Sequence, residues 1–214
     1  MILYVNGDSH SAGTDLKDLS QSWPQLLADR LGFKLVTEAK AGASNDRILR
    51  TTGDSLAHVD RRDIFAIIGW TSWEREEWNC NGRYYDVNSG GHDTMPDTLV
   101  EKYKEWVIKQ GPDEQARKSK RTHDQLHRLH RSFKERHVSH LFFNAVMPFQ
   151  HNLIDPVQLD WHNNYVGPYN NDLSYYWYLK AHGFKHNATN HYSETAQAAW
   201  ADVLYNYIQE NQLL

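Results

Sequence analysis

Apolar and polar positions fall in alternating blocks along the chain, and the blocks read in turn as strands and helices. Ile2-Leu3-Tyr4-Val5 is a short apolar run closed by the turn residues Asn6-Gly7-Asp8-Ser9. That is the pattern of a strand buried on both faces, as in a parallel sheet. Further strands are predicted near Leu35-Val36-Thr37, over Ile64-Phe65-Ala66-Ile67-Ile68 and over Leu141-Phe142-Phe143-Asn144-Ala145-Val146. Between them the apolar spacing becomes helical. Trp23 to Gly32 is a helix with Ser22 before it, Pro24 in its first turn and Gly32 as its stop. A turn at Ala41-Gly42-Ala43-Ser44 opens a second helix that runs to about His58. A last helix, from about Ser193 to Gln209, lines up Ala196, Trp200, Val203, Leu204, Tyr207 and Ile208.

Strands separated by helices imply right-handed crossovers, and so one parallel sheet with helices on both faces. The expected architecture is a single three-layer α/β/α domain over residues 1–214. Two stretches break the rhythm. Residues from about 74 to 137 read as a helical insert, with Leu99, Tyr103, Trp106 and Val107 on one helix and Leu126, Leu129 and Phe133 on the next, divided by Gly111-Pro112. Residues from about 150 to 180 are rich in Asn, Tyr, Trp and His without a clear period, and read as a long loop that would lid the carboxyl edge of the sheet.

Composition narrows the function. The net charge is −4 with both signs scattered, so no basic stripe points to nucleic acid. No run approaches the roughly 18 apolar residues of a membrane-spanning helix. Cys80 is the only cysteine, which excludes an internal disulfide. No charged and apolar leader opens the chain, so a cytoplasmic location is expected, or a virion-associated one in a phage setting. Eight Trp and twelve Tyr, many in polar surroundings, suit a surface that stacks on sugar rings.

The candidate chemistry lies at the end of the first strand, because sites in such sheets form just past the carboxyl ends of the strands. Gly7-Asp8-Ser9 sits there. A serine hydroxyl needs an adjacent base to act as a nucleophile, and His191, just ahead of the last helix, is the candidate. These two blocks, at opposite ends of the chain, resemble the first and last blocks of the SGNH (GDSL-type) hydrolases. The resemblance implies a flavodoxin-like α/β/α fold and ester hydrolysis through an acyl-serine, with Ser9 as nucleophile and His191 as general base. It also implies oxyanion donors. Ala41-Gly42-Ala43-Ser44 is similar to the second block, which makes the Gly42 N–H a donor beside that of Ser9. Gly69-Trp70-Thr71 stands where the family has Gly-x-Asn, so Thr71 replaces the usual Asn, and Asn45 is a substitute donor.

One part of the pattern is missing. The family carries Asp two or three residues before the histidine, where this chain has Ala188 and Thr189. Three readings follow. A backbone carbonyl or an Asn orients His191 as a dyad; a carboxylate arrives from another loop, with Asp155 and Asp160 as candidates; or the protein is a degenerate module that keeps the fold and binds a carbohydrate or protein partner. Trp70, Trp73 and Arg75, at the end of the third strand, are candidate substrate-binding residues. A small acyl group on a carbohydrate, such as an acetyl ester, is the expected substrate. No cofactor and no metal are expected. Asp8-Ser9-His10 also fits the opening of a metallophosphoesterase, but the blocks that must follow are missing. His123, His127 and His130 recur at helical spacing on one face and read as a solvated histidine edge rather than a zinc site.

Overall fold

The computed structural model describes residues 1–57, 63–92, 95–150 and 154–214. The apolar runs form the expected sheet. β1 (Ile2–Asn6) lies between β2 (Lys34–Thr37) and β3 (Ile64–Trp70), and β3 pairs in turn with β7 (Ser139–Asn144). All these pairings are parallel. β8 (Tyr165–Val166) adds a fifth parallel strand beside β7, giving the order β2-β1-β3-β7-β8. Counted within the sheet, this is the 2-1-3-4-5 order of doubly wound flavodoxin-like folds.

The helices cover both faces. On one side α2 (Trp23–Leu31), α6 (Tyr175–Ala181) and α7 (Glu194–Glu210) press Trp23, Leu27, Tyr175, Leu179, Trp200 and Leu204 onto Leu3, Val5, Phe65 and Phe143. Trp200 stands edge-on to Phe143 and Tyr175 with no exposure, so its truncation to Ala would cost about 3–5 kcal/mol. On the other side α3 (Asn45–Leu56) and α5 (Pro112–Glu135) pack Ile48, Leu56, Leu126 and Phe133 against Tyr4, Ala66, Ile68 and Phe142. Buried Asn6 at the end of β1 pins α3 through bonds from its Nδ2 to Ile48 O and to the Thr51 and Thr52 hydroxyls. The expected helix end at His58 lies outside the described residues.

Both irregular stretches differ from expectation. The insert begins not with a helix but with an antiparallel sheet of β4 (Glu76–Cys80), β5 (Arg83–Asn88) and β6 (Gly91–His92). Asn81-Gly82 makes the hairpin, both residues at positive φ (53° and 81°), which is the sequence signature of a two-residue turn. The two expected helices follow as α4 (Asp97–Ile108) and α5, divided at Gly111. Buried Lys118 ties the insert together, paired with Glu76 at 2.7 Å and 4.5 Å above the Trp106 ring. The stretch expected to be a lid instead completes the domain. It supplies β8 and α6, whose Tyr175 and Leu179 are core residues, although residues 151–153 lie outside the described residues.

Candidate active site

The turn after β1 is shaped by short-range contacts. Asp8 caps α1 (Ser9–Ala12), its Oδ1 accepting the His10 N–H at 3.0 Å. A side chain at Gly7 would put its Cβ 2.8 Å from that of Ser11, so glycine is what lets this short helix lie on the strand end. α1 stops at Gly13, whose φ of 67° is left-handed and whose N–H returns to Ser9 O. The chain reverses there. Asp15, also left-handed at φ 69°, a conformation Asp tolerates better than most residues, is brought back toward the other end of the chain.

That other end is the loop before α7. His186 and Tyr192 bridge across its base, and the Asn187 Oδ1 accepts the N–H groups of Thr189 (3.0 Å) and His191 (2.9 Å). The loop then closes on Asp15. One carboxylate oxygen, Asp15 Oδ2, meets His191 Nδ1 at 2.7 Å, the Thr189 hydroxyl at 2.5 Å and Asn187 Nδ2 at 3.0 Å. The Thr189, His191 and Asn187 hydrogen bonds hold the Asp15 carboxyl down at about 2. It is therefore ionised near neutrality and can only accept. His191 must then carry its proton on Nδ1, which leaves Nε2 with a lone pair.

Ser9 and His191 line one cavity of about 230 Å³, with His10, Ser72, Arg75, Val146, Tyr176, Thr189 and Asn190. No direct hydrogen bond joins Ser9 to His191 among the described residues. Behind Ser9 the Asp8 carboxylate is fully buried. Burial would raise its pKa, but His10, Arg75 and the Thr71 hydroxyl together hold it below the ordinary value. His10 is itself pushed down, by burial above all and against the pull of the Asp8 carboxylate, with the Arg75 guanidinium adding to the fall.

The other residues singled out in the sequence separate into groups. Arg75 lines the cavity. Gly42 holds the left-handed turn (φ 77°) that leads to Asn45. Asn45 and Thr71 meet, but as a clamp: the Asn45 Oδ1 accepts the Thr71 N–H and its Nδ2 donates to the Thr71 carbonyl, both at 3.0 Å. The Thr71 hydroxyl gives its single proton to Asp8 Oδ2 at 2.7 Å. Trp70 does not reach the site. As a residue of a strand covered on both faces it is 1% exposed, edge-on to Phe142 in the core. Trp73 is nearly buried too and stacks on Phe149.

The carboxylate candidates also lie elsewhere. Asp155 caps the short 3₁₀ turn Pro156–Gln158, and Asp160 pairs with His162 beside the pocket of His127 and His130. Sequence reasoning misses Asp15, whose one signal is indirect: a glycine stop at Gly13 followed closely by an acid, in the loop next to Ser9. The expected solvated histidine edge is corrected as well. His123, His127 and His130 are buried around Trp161, with ring centroids 5.2, 5.3 and 5.4 Å from it, and no metal-binding group of three forms among the described residues. Nor, among the described residues, is any helix long and apolar enough to cross a membrane.

The fold has counterparts among solved structures. The chain is similar to the psychrotrophic esterase EstA of Pseudoalteromonas sp., at 13% identity and a TM-score of 0.55 over 98% of this chain and 97% of that one. It is similar to TesA, at 16% identity and a TM-score of 0.51 over the whole of both chains. It is also similar to a carbohydrate esterase family 2 enzyme with a carbohydrate-binding domain from Corynascus thermopiles (Myceliophthora fergusii), at 13% identity and a TM-score of 0.53 over 99% of this chain and 66% of that one. At such identities the likeness is one of fold, the α/β/α sandwich of SGNH hydrolases. No curated protein matches the chain by sequence. A family model does match, over residues 4–146, a span that takes in Ser9, Asp15 and Arg75: the chain belongs to the family of unknown function DUF6071.

Proposed function

We propose that the protein is a serine ester hydrolase in which Ser9 is the nucleophile, His191 the general base and Asp15 the carboxylate that completes the triad. The observation that carries this reading is the 2.7 Å contact between Asp15 Oδ2 and His191 Nδ1, on the wall of the cavity that Ser9 also lines. It favours the second of the three readings of the missing acid, with a different donor from those expected. His191 Nε2 takes the Ser9 proton as Oγ bonds to the ester carbonyl carbon, and the carbonyl electron pair moves onto oxygen. Collapse of this intermediate expels the alcohol, which receives the proton from Nε2. Water then enters by the same route and releases the acid. Asp15 fixes the tautomer and stabilises the imidazolium at each step.

The cavity of about 230 Å³ lies below the usual range of ligand pockets and supports a small acyl group such as acetyl. Tyr176 on its wall and the carbohydrate esterase among the structural neighbours support a sugar as the alcohol part. The test is turnover of p-nitrophenyl acetate together with labelling by a fluorophosphonate. Wild type should do both and Ser9→Ala neither; equal labelling of the two would remove Ser9 from the chemistry and leave a binding module as the better account.

A further inference from the structure

The attack by Ser9 puts a negative charge on the substrate carbonyl oxygen, and that charge needs fixed donors. Two of the expected side-chain donors are committed elsewhere. The Asn45 amide is turned onto the Thr71 peptide on both sides, and the Thr71 hydroxyl is held by Asp8. Arg75 is the cation that remains. It lines the cavity with Ser9 and His191, and its side chain is 20% exposed. Among the described residues only one of its nitrogens is engaged: Nη1 lies 3.6 Å from Asp8 Oδ2 and donates to Ala43 O at 3.4 Å. The Nε has no partner among the described residues.

Those two contacts define where the guanidinium sits. Asp8 precedes the Ser9 N–H, and Ala43 follows Gly42. Arg75 thus bridges the segment that carries the Ser9 N–H and the one that follows Gly42, the two whose N–H groups the SGNH resemblance makes oxyanion donors. The fully buried Asp8 anchors it there, and a planar guanidinium has five N–H groups in a rigid fork, so that holding one nitrogen leaves others to donate.

We propose that Arg75 is a catalytic residue of this reaction, donating to the oxyanion on the substrate in place of the Asn that the resemblance puts where this chain has Thr71. The inference rests on the hydrolase reading above. Arg75 moves no proton; it stabilises the charge while the Ser9 proton travels to His191 and on to the leaving alcohol.

The experiment uses the full chain and p-nitrophenyl acetate, a substrate with no carboxylate for Arg75 to bind in the ground state. Arg75→Met should lower kcat by about 100-fold or more, the usual effect of losing one oxyanion donor, with KM changed less than about threefold. Added guanidinium chloride, at concentrations that leave the wild type unaffected, should restore part of the lost rate. Arg75→Lys, which keeps the charge beside Asp8 but loses the fork, should melt like the wild type and still be slowed. Thr71→Val, which loosens Asp8 from another side, serves as the control and should slow the reaction far less. An unchanged kcat in Arg75→Met overturns the proposal. So does a loss that guanidinium does not rescue and that Thr71→Val reproduces, since Arg75 would then act only by holding Asp8. Should Arg75→Met fail to fold, Arg75→Lys decides: full activity refutes the proposal and a slowed, stably folded enzyme supports it. If Ser9→Ala turns over as fast as the wild type, it is the hydrolase reading itself that has failed.

Discussion

The protein keeps histidines in two places, and the two are built on opposite principles. At the carboxyl end of β1, His191 is bonded to an ionised carboxylate and His10 lies beside another, with the two rings 5.5 Å apart at a cavity. Under α5, His123, His130 and His140 are all buried, and the partners of their ring nitrogens are neutral. His123 Nε2 meets the Tyr169 hydroxyl at 2.9 Å, His130 Nδ1 meets His140 Nε2 at 2.9 Å, and His140 Nδ1 meets the Val138 carbonyl at 2.8 Å. The carbonyl can only accept, so His140 is protonated on Nδ1 and its Nε2 accepts from His130. One cluster is arranged so that a histidine can take up a proton; the other is arranged so that it cannot. Burial first, and neighbouring histidines second, push His123 and His130 down to about 4 and about 3, and burial takes His140 to about 4. The two sites thus differ in burial and in partner: His191 has a carboxylate at Nδ1, whereas the core histidines have a tyrosine, a carbonyl or another imidazole.

The largest effect should come from removing the feature that separates the two. Asp15→Asn keeps the shape of the side chain and removes the charge. In the serine-protease triad the equivalent change costs on the order of 10⁴-fold in rate. A loss of about 10³-fold or more in kcat is expected here, with little change in melting temperature, because the Asp15 side chain is 42% exposed. Thr189→Asp sharpens the point. In sequence it looks like a restoration of the family pattern, yet the Thr189 hydroxyl already donates to Asp15, so a second carboxylate there would face the first. Its rate should fall. A rise would mean that Asp15 is not the acid His191 uses. Since Asp15 titrates at about 2, its own contribution to stability is present near neutrality and is lost only as pH falls toward that value.

The second effect, on stability, belongs to the buried cluster. Its histidines have lower pKa values in the folded chain than in the unfolded one. Below about 6.5 the unfolded chain takes up protons that the folded one refuses, so stability falls with pH until the folded values of about 4 and about 3 are reached. A fall from the ordinary 6.5 to about 4, as for His123, corresponds to roughly 3 kcal/mol for a single group. Urea midpoints at pH 7 and pH 4.5 should therefore differ clearly. His123→Phe, which replaces a ring packed among Phe149, Trp161 and Tyr169, should shrink the difference. If stability proved flat across this window, the cluster would not be neutral and buried.

How much of this the sequence reveals depends on the range of the interaction. Continuous apolar runs announce β1, β3 and β7, and a glycine stop announces the end of α2, because each is decided by neighbours along the chain. Ser9 and His191 are legible for the same reason, as residues at the ends of elements. Asp15 is not. Its meeting with His191 spans 176 positions and depends on the left-handed turns at Gly13 and Asp15, which no periodicity encodes. The hairpin at Asn81-Gly82 carries its signal openly, but it falls in a stretch whose clearest periodicity, from Leu99 to Phe133, is helical. Trp70 teaches the converse: a strand buried on both faces gives no alternation, so position at the strand end does not say whether a side chain turns to the cavity or to the core. The α5 histidines do share the predicted face, and what buries them is Trp161, from a stretch with no readable structure.

The smallest effects should come from the two acids of the 150–180 stretch that a search for a partner to His191 makes attractive. Asp155 accepts the Val157 N–H at 3.0 Å as the cap of a surface turn, so Asp155→Asn, which keeps an acceptor at the same place, should cost well under the roughly 1 kcal/mol of a lost cap. Asp160 makes an exposed pair with His162 at 2.9 Å, and an exposed pair contributes about 0–1 kcal/mol. Neither borders the Ser9 cavity. Both variants should therefore turn over p-nitrophenyl acetate at nearly the wild-type rate. Such an absence of effect has force because it is paired with Asp15→Asn. All three changes swap one carboxylate for an amide on the surface of the same domain, and they differ in whether the carboxylate is aimed at His191. If Asp160→Asn slowed the enzyme as much as Asp15→Asn, contact with His191 would not be what matters. The division between the two histidine sites would then collapse, since Asp160 borders the buried cluster and not the serine.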